Sequence, residues 1–270
     1  MTYYQGETLS NLLIIYPHGL GDCVQLTPVL RNYFFNTGKK AAVATLERFK
    51  SAEFFNHNPY VGHILYTKDA WNDYDDPDEG FRLVQEECER WGRENGYDKV
   101  VMPMHKDWSH HKILLNFKYC DVKPTSIFTE VFTSDEDKRV AREFVKNLYG
   151  DEPYGFAATK SGRPAQTMPA GYGRKWLQVR KGLKNVLEVD VEFGIYDYNF
   201  NVQIEMMRMA SALVLPDSAF PPAASAMGKP VDHMYIAPQW GPRGYNRIKP
   251  LHSAVQNINY VLDQEIMEML

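Results

Sequence analysis

The chain has 270 residues, 44% of them hydrophobic, with a formal net charge of −4. That length supports one or two substantial cores, and roughly two domains are expected. No apolar run approaches the ~20 residues of a membrane span. The start MTYYQGETLS has neither the basic head nor the apolar core of a signal peptide, and Cys23, Cys88 and Cys120 fit no zinc or redox spacing, so a cytoplasmic protein is expected.

Leu12 to Ile15 form a short continuous apolar run, as a strand buried on both faces would. After Gly19 and Gly21, the residues Val24, Leu26, Val29 and Leu30 recur at helical spacing. This is the first strand-loop-helix unit of a Rossmann-like domain, with glycines allowing a tight turn and leading amides free to meet a polar ligand. The dinucleotide pattern G-x-G-x-x-G fails because Val24 stands at its third glycine, which disfavours an NAD-dependent oxidoreductase with Glu47 on the ribose. Asp22 occupies the loop instead. It can cap the helix, or it can point into the crevice at the strand end and act as a general base. Cys23 reads as a small packing residue or a reactive thiol at the helix start.

Alternation continues along the chain. Strands are expected at Ala41 to Leu46, His63 to Tyr66 and Lys99 to Met104, and helices at Phe81 to Glu94, His111 to Tyr119 and Glu136 to Leu148. Asp73, Asp75, Asp76 and Asp78 read as an exposed acidic loop in preference to a metal motif. His105, Asp107, His110 and His111 follow a strand end and are expected to line the cleft as polar groups. The turn-rich Tyr149 to Pro153 marks a boundary, dividing the chain into residues 1–150 and 151–250, with a terminal segment 251–270. Beyond it come strands Tyr154 to Ala158, Val186 to Val189, Ala212 to Leu215 and Val231 to Ile236. Helices are expected at Asn201 to Ser211, Phe220 to Met227 and His252 to Met269. Such alternation implies parallel sheets with right-handed crossovers.

From Pro153 to Leu187 there is no acid, while Lys160, Arg163, Arg174, Lys175, Arg180, Lys181 and Lys184 supply seven positive charges. Glycines and prolines make Ser161 to Gly173 read as a mobile loop among them. Such a stretch suits a polyanion, either a nucleotide diphosphate or a nucleic-acid backbone.

A second strand-turn-helix unit follows in SALVLPDSAFPPAASAMGKP, Ser211 to Pro230. Together, GLGDCVQLTPVLR and DSAFPPAASAMGKPV resemble the bacterial heptosyltransferase family of glycosyltransferases. Arg174-Lys175-Trp176 is similar to that family's basic-x-Trp element. Against the family's D-S-G-P-M-H, the chain has Asp217, Ser218, Ala219, Phe220, Pro221 and Pro222, losing a glycine and a donor-side histidine.

The resemblance implies an α/β protein of two Rossmann-like domains facing a cleft, the GT-B type, with a C-terminal helix packing back across them. It implies an inverting glycosyltransferase acting without a metal or other cofactor. The donor would be a nucleotide-diphosphate sugar, and the acceptor a glycan or lipid-linked saccharide, which is compatible with peripheral membrane contact. Asp22 would be the base. Gly19, Gly21, Thr159, Lys160, Arg163, Arg174, Asp217 and Ser218 would serve the donor, and His18, His105, His111 and Arg243 the acceptor or cleft. The basic segment leaves DNA open as an acceptor. The missing histidine leaves open a non-catalytic nucleotide-sugar-binding protein.

Overall fold

In a computed structural model, residues 11–103, 111–159, 166–189, 199–236, 258–259 and 262–270 are described. Two parallel sheets carry the fold. The first contains β1 (Leu12–Ile15), β2 (Ala41–Leu46), β3 (Val61–Thr67) and β4 (Lys99–Val101), in the order β3-β2-β1-β4. The second contains β5 (Tyr154–Ala158), β6 (Asn185–Val189), β7 (Ala212–Pro216), β8 (His233–Tyr235) and β9 (Ile258–Asn259), in the order β6-β5-β7-β8-β9. β1 and β5 are the first strands of their halves, and each is flanked on both sides, so the chain reverses direction across the sheet beside each of them. Ligands of open α/β sheets bind in the crevice at such points, beyond the carboxyl ends of the strands.

The helices are α1 (Leu20–Thr37), α2 (Pro77–Glu94), α3 (Lys112–Cys120), α4 (Asp135–Tyr149), α5 (Tyr172–Lys181), α6 (Phe200–Met209), α7 (Phe220–Ala226) and α8 (Gln264–Glu268). α1 continues through Pro28, which has no amide to give Val24. The Thr27 hydroxyl donates to the Val24 carbonyl in its place, at 2.8 Å. α4 begins with a capping box between Ser134 and Asp137.

Asp73, Asp75 and Asp76 form an exposed acidic loop ahead of α2, which starts at Pro77 with the Asp76 side chain accepting the amide of Asp78 in its first turn. Two expectations are corrected. Of the expected loop Ser161 to Gly173, the described part from Gln166 to Gly171 is irregular backbone tied to the end of β5, and its last two residues belong to a helix. Gln166 and Met168 are buried, the Met168 amide donates to the Thr159 carbonyl, and α5 opens at Tyr172. The C-terminal helix is reduced to five residues, because Ile258–Asn259 instead extends the second sheet beside β8. Ile266 of that helix packs with Trp176 and Leu177 of the second half, and Arg180 of α5 reaches Asp263 and Glu265.

α5 sits unusually close to β5. A side chain beginning at Gly173 would lie 2.6 Å from the Ala157 Cβ, and one at Gly155 would lie 2.7 Å from Leu177, so the two glycines admit this approach. One continuous apolar core joins the halves: Phe54 meets Phe200, and Phe220 meets both Phe156 and Phe200. α4 packs on α6 through Ala141 and Val145. Among the described residues no helix is long and apolar enough to cross a membrane.

His233 is fully buried on β8 against Trp176, and its Nε2 faces the Tyr172 hydroxyl at 3.2 Å. That hydroxyl accepts the Asp263 amide and donates its own proton to Nε2, which suits a neutral imidazole. Burial pushes its pKa down from 6.5 to about 4. The folded state therefore binds fewer protons than the unfolded chain between these values. Stability should be full above pH 6.5 and fall on acidification towards pH 4, by up to about 1.4 kcal/mol per pH unit. Urea titrations of the wild type and His233→Gln should diverge in pH slope over that window. Parallel slopes would rule out this origin.

Candidate functional site

The site is built where the two crevice loops meet. After β1 the chain passes through Tyr16, Pro17 and His18 to Gly19, which is the N-cap of α1 with φ −62° and ψ 160°. Neither Gly19 nor Gly21 has a positive φ, so the turn into α1 does not draw on glycine's left-handed freedom. The use of Gly21 is close approach. A Cβ there would lie 3.2 Å from both the Ser218 carbonyl oxygen and the Ala219 Cα, and 3.5 Å from Pro222 Cγ. The start of α1 thus rests on the β7–α7 loop of the other sheet, so the loop carrying Asp22 meets the loop carrying Asp217 and Ser218.

Asp22 lies in the first turn of α1, where the helix dipole favours a carboxylate. Its Oδ1 is 2.6 Å from the Nζ of Lys112, whose side chain is only 10% exposed. Lys112 escaped the sequence reading, which treated its neighbours as cleft lining. The available signal was weak: a lysine at the first position of a helix, where a cation opposes the dipole. His111 beside it caps α3, its Nδ1 accepting the Ile113 amide at 3.2 Å. His18 donates from Nε2 to the Pro103 carbonyl at 2.9 Å and packs edge-on against Tyr16, tying the β1 loop to the end of the β4 segment. Both histidines are half-buried and each has a structural bond. Beneath them Tyr16 bonds with Asn116. Burial and the Asp22 charge hold Tyr16 well above its ordinary range and push the Cys23 thiol up to about 12. Cys23 is therefore a packing residue and no reactive thiol.

On the opposite side, Asp217 Oδ2 accepts a 2.7 Å bond from the buried Gln166, and the Ser218 hydroxyl accepts the Phe220 amide at 3.4 Å. Thr159 is buried at the end of β5. Arg174, in the first turn of α5, donates to the buried Glu188 at 3.2 Å. The amides after Ser218 make a depleted anion cradle. Pro221 and Pro222 occupy the second and third positions of α7 and have no N–H to offer.

The basic segment is also less of a polyanion site than its sequence suggests. Folding brings acids from elsewhere onto it: Glu188 to Arg174, Asp232 to Lys181, and Asp263 and Glu265 to Arg180. Lys160, Arg163, His105, Asp107, His110, Trp240 and Arg243 lie outside the described residues. Among the described residues no cluster of histidines, cysteines and carboxylates is placed to hold a metal.

No family model matches this chain, and no curated protein is similar to it at the level of sequence. Solved structures are. A family 9 glycosyl transferase from Veillonella parvula superimposes with a TM-score of 0.69 at 12% identity, over 97% of this chain and 88% of that one. The E. coli ADP-heptose lipopolysaccharide heptosyltransferase II gives 0.65 at 12% identity, over 96% and 94%. The E. coli heptosyltransferase WaaC with ADP gives 0.54 at 12% identity, over 93% and 94%. This chain has the heptosyltransferase fold. The two-sheet GT-B architecture implied by the glycine-acid loop and the Asp217-Ser218 segment is therefore the architecture present, over nearly the whole length of this chain. What the heptosyltransferase fold places at its centre here is the contact between Gly21 and the Ser218 loop.

That contact makes Gly21 and Gly19 differ in tolerance. Gly19→Ala meets only Asp22 Oδ2, at 4.0 Å, and should change stability by less than about 0.5 kcal/mol. Gly21→Ala presses on backbone of the other half and should cost about 1–3 kcal/mol. Chemical denaturation midpoints of the two variants check this, and equal midpoints would contradict the close-approach role.

Proposed function

We propose that this protein is an inverting glycosyltransferase that moves a sugar from a nucleotide-diphosphate donor to a hydroxyl of a glycan or lipid-linked saccharide, without a metal. The observation that carries the proposal is the meeting of the two strand-end loops: Gly21, next to Asp22, lies against the Ser218 carbonyl and Ala219, next to Asp217. The shared fold supports the reading, since the structures it resembles include a heptosyltransferase solved with ADP.

In this mechanism the acceptor oxygen attacks the anomeric carbon from the face opposite the leaving group. Its proton passes to Asp22, the new C–O bond forms, and the electron pair of the breaking bond leaves with the diphosphate. Asp22 at a helix N-terminus stays ionised. It is a weak base but always in the required state, which suffices when the proton moves late. Asp217, held by Gln166, orients sugar hydroxyls, and Arg174 and Thr159 at the ends of the second sheet's crevice attend the diphosphate. A saccharide acceptor is preferred to DNA because Arg180 and Lys181 already have acidic partners within the fold.

A thermal-shift screen of nucleotide sugars, followed by transfer assays with the stabilising donor, tests this reading. One nucleotide sugar should raise the melting temperature in a concentration-dependent way. Asp22→Asn should retain that shift and lose about 10²–10⁴-fold in turnover, the range of a general base. Near wild-type turnover in Asp22→Asn would remove the mechanism. Donor binding without transfer to any saccharide would leave a binding protein instead.

A further inference from the structure

Lys112 is placed where two ordinary preferences oppose it. It is the first residue of α3, at the positive end of a helix that has no acid in its first turn. Its side chain is also 90% removed from solvent, which is costly for an ammonium without a counter-charge. Neither the helix nor the packing accounts for a cation there. The counter-charge is Asp22 Oδ1 at 2.6 Å, on α1, ninety positions away in the chain. Asn116, one turn further along α3, donates to the Gln25 carbonyl of α1 at 3.1 Å, so the face of α3 carrying Lys112 is fixed against the start of α1. The second carboxylate oxygen, Oδ2, lies on the side of Gly19, which is exposed.

We infer that Lys112 is a positioning residue for the proposed base: its ammonium fixes the Asp22 carboxylate through Oδ1 and keeps it ionised, with Oδ2 presented to the acceptor hydroxyl. The inference rests on the glycosyltransferase reading for its catalytic meaning, and on the ion pair alone for its electrostatic content. Other titratable groups surround the pair. Tyr16 and Cys23 beneath it remain neutral through the working range. His18 on the β1 loop, His111 on the α3 side and Asp217 on the facing loop are common to every variant, so differences between variants report on residue 112.

The test is the titration of the Asp22 carboxyl carbon by NMR, its signal assigned by loss in Asp22→Asn, alongside the pH profile of kcat. In Lys112→Met and in Lys112→Gln, which keeps a donor but no charge, the carboxyl midpoint should rise by about one pH unit or more. The acid limb of kcat should move with it, and Lys112→Arg should restore both. An unchanged midpoint in either neutral variant, with the melting transition still cooperative, would overturn the inference. A lowered kcat with an unmoved acid limb would do the same, since that is the signature of a packing role. If the midpoint rises while Asp22→Asn keeps its turnover, Lys112 controls Asp22 as inferred and it is the glycosyltransferase mechanism that fails.

Discussion

The close approach of Gly21 to the Ser218 carbonyl and Ala219 is the constraint on which the rest of the site depends. A helix can come this near to the backbone of another unit only where it has no side chain. Because α1 begins at the carboxyl end of β1 and the Ser218 loop follows β7, this one contact draws the crevices of the two sheets together. Asp22, one residue along α1, is carried to the same place. The apolar core behind it, through Phe54, Phe200 and Phe220, holds the two sheets in that relation.

Electrostatics at the cleft follow from what folding pairs. The acid-free stretch from Pro153 to Leu187 reads as a polyanion surface, yet Glu188, Asp232, Asp263 and Glu265 neutralise three of its seven cations. These acids come from β6, from the start of β8 and from the C-terminal segment, which no local count of charge can anticipate. In the other half the opposite happens. An isolated lysine, Lys112, becomes the partner of the one carboxylate that the loop sequence singled out.

The turn after β7 shows how a departure from a family pattern acts physically. With Pro221 and Pro222 in the first turn of α7, that helix start lacks two amide donors, while Pro222 contributes to the surface against which Gly21 packs. The segment has exchanged hydrogen-bonding capacity for contact between the sheets.

The strands and most helices were legible in the sequence because their signals are local. Buried parallel strands show as apolar runs such as Leu12 to Ile15, and helices as periodic repeats bounded by caps such as Ser134 and Asp137. Asp22, Asp217 and Ser218 stand out in the sequence because they follow strand ends, where residues of such a sheet reach its crevice. The start of α5 was hidden because Gly171 and Gly173 imitate a loop, and only the packing of Gly173 on Ala157 shows that glycine is there for proximity. The long C-terminal helix was overstated because helical composition in a short segment is overridden once Ile258 and Asn259 can add to an open sheet edge. The Lys112–Asp22 pair and the Gly21–Ser218 contact were decided by tertiary structure alone. Each joins residues ninety or more positions apart, and which distant groups meet depends on how whole sheets pack, a quantity that no window of sequence contains.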